Sequence, residues 1–228
     1  CPQFLAAVYG IQLAGAAVVP VNPMSTEPEL RYYAQDSGAT VVICAQELLG
    51  PVQASMASGE IRQTVVLAYG DALEGVAADA LEADLPAVVT AARAPLPAGA
   101  FHGFEAAIAE GLAPTSGHPS VEDLAVLPYT SGTTGHPKGC MHTHRSVMFN
   151  TCGGGVWGQV NQGGVGLAVL PMFHVTGMQS NLNGTIFHGT TVVLLPRWDR
   201  DAAARCVEKH RITGMALITA MVIDFMAN

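Results

Sequence analysis

The sequence predicts a layered α/β protein, with mainly parallel sheets flanked by helices. Three observations carry that expectation. Short β-branched runs alternate with helix-like stretches, the order of strand–helix–strand units. Of the 228 residues, 50% are hydrophobic and only 12% charged, which is enough apolar side chain to cover both faces of a sheet. A glycine- and hydroxyl-rich run, Tyr129 to Gly139, follows directly on the apolar stretch Leu124 to Leu127, as a loop follows a strand.

Taken in order, Phe4 to Leu13 reads as a helix and Ala16 to Val21 as a short buried strand. Gly10, Gln12, Gly15 and Pro20 interrupt this apolar region, so no membrane span is expected in it. No initiator Met or basic region precedes it, so it is not read as a signal peptide. Thr26-Glu27-Pro28-Glu29 has capping-box spacing, with Pro in the first turn. Leu30, Tyr33, Ala34 and Ser37 then share one helical face, and Gly38 supplies the stop. Thr40 to Cys44 reads as a strand, Gln46 to Ser58 as a helix and Thr64 to Ala68 as a strand. From Asp71 to Pro119 the pattern decays into Ala, Pro and Gly, and only Gly103 to Glu110 looks helical. Segment 71–119 is expected to be a variable surface excursion rather than a linker, because strand signals resume at Leu124. Val165 to Leu170, Thr191 to Leu195 and Thr213 to Ile218 are further strands. Asp201 to His210 is a helix with an apolar stripe of Ala202, Ala203, Cys206 and Val207. The chain opens at Cys1-Pro2 and ends at Asn228 inside apolar helical patterns, so 1–228 is expected to be an incomplete domain.

Composition narrows the function classes. The net charge of −8 argues against nucleic acid or an anionic membrane surface as the main partner. Five cysteines, odd in number and without CxxC spacing, suit reduced thiols in a cytoplasmic protein. Apolar ends carrying Phe4, Leu5, Ile223 and Phe225 allow a homo-oligomer, an artificial one if these are cut surfaces. Cys140, His142 and His144 alternate and Cys152 follows, but the spacing matches no closed tetrahedral metal site.

The run Thr130-Ser131-Gly132-Thr133-Thr134-Gly135-His136-Pro137-Lys138-Gly139 offers hydroxyls, free amides and a cation together, which is what a polyphosphate requires. It is not the P-loop of nucleoside triphosphatases. Counted from Gly132, the second required glycine falls on Pro137, and Gly139 stands where Ser or Thr is needed. Pro137 also removes one backbone donor.

This run resembles the AMP-binding signature of the adenylate-forming superfamily, which comprises acyl-CoA synthetases, peptide-synthetase adenylation domains and firefly-type luciferases. Val19-Pro20-Val21-Asn22-Pro23-Met24, with Glu29 to Tyr33 and Asp36 to Ala39, is similar to the upstream segment of fatty-acid and aryl-acid CoA ligases. Leu170-Pro171-Met172-Phe173-His174-Val175-Thr176-Gly177 resembles the family's next motif, and Trp198 to Ile218 its following helix and strand. The resemblance implies part of the large N-terminal domain of the adenylate-forming fold. It also implies ligase chemistry: a carboxylic acid attacks ATP to give an acyl-adenylate and pyrophosphate, and coenzyme A takes the acyl group. On that basis Thr130, Ser131, Gly132, Thr133, Thr134 and Gly135 would donate to the phosphates, Lys138 would supply a mobile cation, and the Thr130 hydroxyl would lie near Mg2+. His174 would border the acyl pocket and the thiol channel; its plain alternative is a histidine that caps a turn. Thr143-His144-Arg145 matches the family's entry to the helix behind the loop. Gly153-Gly154-Gly155 departs from that helix and predicts a shortened one, since each interior glycine costs about 1 kcal/mol. The family's later adenine, ribose and hinge motifs, and the C-terminal domain that carries a catalytic lysine, are not found in the 228 residues. A fatty or medium-chain acid is the expected substrate. An adenylation domain loading a carrier protein and a non-catalytic nucleotide-binding module are the alternatives.

Overall fold

The computed structural model describes residues 1–76, 85–114, 118–130 and 135–227. They form two compact units, Cys1–His118 and Pro119–Asn228.

The first unit opens with helix α1 (Pro2–Leu13). The expected strand 16–21 reduces to a single bridge at Val18. Gly15 at φ 75° turns the chain and Pro20 has no N–H for a ladder, so a longer strand cannot pair there. Helix α2 (Glu27–Ser37) is closed at both ends by local chemistry. The Thr26 amide donates to Glu29 Oε2 at 2.7 Å, and Gly38 ends the helix at φ 72°, the left-handed stop that favours glycine. Strands β1 (Val41–Ala45), β2 (Gln63–Leu67) and β3 (Phe101–Gly103) form a parallel sheet in that order. The helix expected over 46–58 is instead a 3-10 turn, Gln46–Leu48, followed by α3 (Leu49–Met56). Pro51 has no N–H to donate to the carbonyl of residue 47, so one continuous α-helix cannot form.

Segment 71–119 contributes to this unit. The Asp71 carboxylate, largely buried, takes two bonds from Arg93, at 3.1 and 2.7 Å, and short helix α4 (Ala87–Thr90) lies between the two residues. β3 adds a third strand that the sequence did not announce. Helix α5 (Phe104–Ala109), which it did, places Phe104 against Ala45 and Leu67 in the core.

The second unit begins with β4 (Leu124–Val126) and a hairpin, β5 (Tyr129–Thr130) and β6 (Lys138–Gly139). Strand β7 (His142–Thr143) pairs antiparallel with β4 and runs into helix α6 (His144–Trp157). A parallel sheet follows in the order β10-β8-β9, built from β8 (Val165–Ala168), β9 (Thr191–Leu194) and β10 (Gly214–Met215). Between β8 and β9 one helical run comprises α7 (Val175–Gly177), a π-helical turn (Met178–Asn183) and α8 (Gly184–His188). Helices α9 (Arg200–His210) and α10 (Thr219–Met226) complete the unit. Asp199 caps α9 by accepting from the Ala202 amide at 2.7 Å, and Ala203 on its apolar stripe is fully buried.

A further expectation is overturned. Helix α6 is not shortened by Gly153-Gly154-Gly155 but runs through all three to Trp157. Gly155 is buried, and a Cβ built on it would overlap the imidazole of His188. Packing against α8 therefore offsets the local cost of glycine.

Candidate functional site

The hairpin positions the first group of predicted residues. Tyr129 pairs with Gly139 and Thr130 with Lys138, and the Cys140 amide extends the ladder to the Pro128 carbonyl at 2.8 Å. Directly opposed residues of an antiparallel pair share one face. Tyr129 and Gly139 form the inner face. A Cβ on Gly139 would stand 3.0 Å from Leu127 Cδ1 and 3.3 Å from Tyr129 Cζ, so the strand approaches closely only because this residue is glycine. Thr130 and Lys138 form the other face, and both are exposed. The structure thus brings the predicted cation and the predicted hydroxyl side by side at the base of the loop. Gly135 stands on the return limb at φ 150°, a conformation that a side chain disfavours. Ser131, Gly132, Thr133 and Thr134 lie outside the described residues.

The hairpin leads into a capped helix. The Thr143 hydroxyl accepts from the Ser146 amide at 3.3 Å, and the His144 and Arg145 amides bond back to the Asp123 and Val121 carbonyls at 3.1 and 2.8 Å. These bonds hold the start of α6 against the turn that precedes β4.

His174 lies on a separate element, six positions past the end of β8, beyond the carboxyl edge of the parallel sheet. It is exposed and serves as the N-cap of α7, its Nδ1 accepting from the Thr176 amide at 3.3 Å. That bond leaves the proton of the neutral ring on Nε2. The following turn is held by a close approach. A Cβ on Gly177 would lie 2.7 Å from the Pro171 carbonyl carbon and 2.8 Å from the Leu170 oxygen, so only glycine fits. Met178 is buried, while Met172 and Phe173 are half-buried.

The sequence did not reveal what stands behind His174. Asn181, Asn183 and Thr151 are 4%, 8% and 3% exposed, an unusual concentration of buried polar side chains. They hydrogen-bond to one another or to the backbone through Gln179 and the Leu170 carbonyl. The available signal was three amides at alternate positions, Gln179, Asn181 and Asn183, beside apolar Met178 and Leu182. The π-helical geometry that turns them inward had none.

Among the described residues, no group of three His, Cys, Asp or Glu side chains is placed to hold a metal ion. None of their helices is long and apolar enough to cross a membrane. None of the five cysteines forms a disulfide.

Parallel sheets with helical connections, and a hairpin that presents a lysine beside a threonine, define a protein of the α/β class. The chain belongs to the AMP-binding enzyme family, whose profile matches residues 1–228. It is 30% identical to a long-chain-fatty-acid–CoA ligase of Bacillus subtilis over 227 residues, 93% of this chain and 39% of the relative. It is also 30% identical to 4-coumarate–CoA ligase 3 of Oryza sativa subsp. japonica over 233 residues, 98% of this chain and 36% of the relative. The chain therefore spans well under half the length of these curated relatives. The fold matches that of ATP-bound MatB from Rhodopseudomonas palustris with a TM-score of 0.75 at 21% identity, covering 100% of this chain and 39% of that one. The mixed α/β architecture is that of the N-terminal domain of adenylate-forming enzymes.

Proposed function

We propose that these residues form the pyrophosphate end, and part of the acyl wall, of an AMP-forming carboxylic acid–CoA ligase. The observation that carries this proposal is the pairing of Thr130 with Lys138 at the mouth of the signature loop, in a chain whose whole length matches the family. Attack of the carboxylate on the α-phosphate drives negative charge onto the departing pyrophosphate. Lys138, at the base of the loop, meets that charge as it develops, which is where a cation contributes most. The Thr130 hydroxyl, exposed beside Lys138, fits a magnesium ion that arrives with the nucleotide, because such ions keep several waters and take few protein oxygens. When bound, the ion offsets phosphate charge. His174 borders the acyl side, its Nε2–H free of the cap that Nδ1 makes. The substrate assigned is a fatty or medium-chain acid, in line with the B. subtilis relative; the rice relatives act, by name, on 4-coumarate. Coenzyme A is the assigned acceptor.

The test is acid-dependent ATP–pyrophosphate exchange by the protein that carries these residues, against a panel of fatty and hydroxycinnamic acids. Lys138→Ala is expected to cost about 2–4 kcal/mol in the adenylation step. Unimpaired exchange in that variant overturns the role of Lys138. The 228-residue chain alone is expected to show no exchange and to bind ATP only at about millimolar levels, since phosphate contacts leave little after association costs. Exchange by the chain alone, or micromolar affinity by calorimetry, contradicts that assignment.

A further inference from the structure

The helix behind the hairpin and the helix behind His174 are joined by a partly buried side-chain bracket centred on Gln179. Gln179 Oε1 lies 2.9 Å from the Thr151 hydroxyl on α6 and accepts from Asn183 Nδ2 at 3.1 Å. Gln179 Nε2 points back to the Val147 carbonyl, also on α6, at 3.5 Å. The Thr151 hydroxyl lies equally close, 2.9 Å, to the same Val147 oxygen, so its single proton serves two acceptors. On the other side Asn181 Nδ2 reaches the Leu170 carbonyl at 3.4 Å, which ties the turn to the exit of β8.

The backbone geometry points the same way. Three side chains of this bracket, Gln179, Asn181 and Asn183, lie in the only π-helical segment among the described residues, Met178–Asn183, which begins four residues after His174. A π-helical turn is a poorer way to satisfy the backbone than an α-turn and commonly marks a functional position. Buried amides with their partners in place also fix one arrangement of the elements they join, because any other leaves them unpaired. Helix α6 starts one residue after β7, and β7 follows β6 by two residues. The bracket thus spans from the element that extends the Lys138 hairpin to the element that His174 caps.

We propose that Gln179 is a positioning residue. Through Thr151 it holds the His174 turn on α6, so that the acyl side and the phosphate side are presented in one register. The kinetic part of this proposal rests on the function proposed above; the structural part does not.

Two measurements test it, with Thr151→Val and Gln179→Leu as disrupting variants and Thr151→Ser as the conservative one. The first is backbone hydrogen exchange of the 228-residue chain. Residues 174–178 are expected to exchange faster in Thr151→Val and Gln179→Leu, and as in the parent in Thr151→Ser. Unchanged exchange there in both disrupting variants overturns the bracket. The second is steady-state kinetics of the active protein. Thr151→Val is expected to raise KM for the acid about tenfold while KM for ATP stays put, because a small displacement of one reacting partner is costly. Thr151→Ser is expected to restore it. A fall in kcat with both KM values unchanged marks a loss of folded enzyme and overturns the positioning role. A parent protein without acid-dependent exchange sinks the proposed function, while hydrogen exchange still decides the bracket.

Discussion

Gly153, Gly154 and Gly155 look alike in the sequence, and only the fold tells them apart. A Cβ on Gly153 or Gly154 meets nothing within 4 Å, whereas one on Gly155 overlaps the His188 ring. Alanine at 153 is therefore expected to stabilise the protein by up to about 1 kcal/mol through helix propensity alone. Alanine at 155 is expected to destabilise it by about 1–3 kcal/mol, because the ring or the helix must move. Urea midpoints of the two variants check both signs; equal shifts contradict the close approach of α6 to α8. Lys138 was legible as a candidate because the residues proposed to act with it lie in one run of sequence. Gln179 was not, because its partners Thr151 and Val147 are 28 and 32 positions away.

At the scale of elements, legibility followed the range of the interactions that fix each one. Helix α2 was readable at both ends because Thr26, Glu29 and Gly38 close it locally. Thr26→Ala is expected to cost about 1 kcal/mol, read as a lowered urea midpoint, with Thr26→Ser near the parent value. Strand β3, of three residues, carries too few positions for a period of two to show, and of the strand expected over Thr213 to Ile218 only β10, two residues long, forms. They exist because a neighbouring strand supplies the ladder: β2 for β3, and β8 for β10. The helix over 46–58 was placed correctly as a region but not as one element, since Pro51, in the first turn of α3, has no N–H to carry the ladder back into the 3-10 turn.

At the scale of the molecule, the class of fold was readable throughout, because the alternation of strands and helices is a property of the whole chain. Segment 71–119 was the least readable part. Its order comes from pairs far apart in sequence, such as Asp71 with Arg93, and from a strand with a partner 37 residues away, Thr64 with Phe101. Stability at high pH is also a property of the assembled interior. Burial, assisted by the Glu47 charge, pushes the Cys44 thiol up to about 11. Burial pushes the Tyr9 phenol up to about 12. Both groups ionise more readily in the unfolded chain. Their contribution is therefore complete below pH 9.0, the ordinary value for the thiol, and is lost as pH rises through the folded values. Urea midpoints are expected to fall between pH 9 and 11, and less steeply in Cys44→Ala. An identical slope in that variant removes the thiol from the account.

Because Thr130 and Lys138 are cross-strand partners, the positive charge belongs to a face of the hairpin more than to a position in the chain. Exchanging the two identities, Thr130→Lys together with Lys138→Thr, keeps an amine on that surface with its anchor displaced by about 5 Å. The transposed protein is expected to recover part of the exchange activity that Lys138→Ala loses, with a geometry penalty showing how far an ammonium can swing and still reach its phosphate.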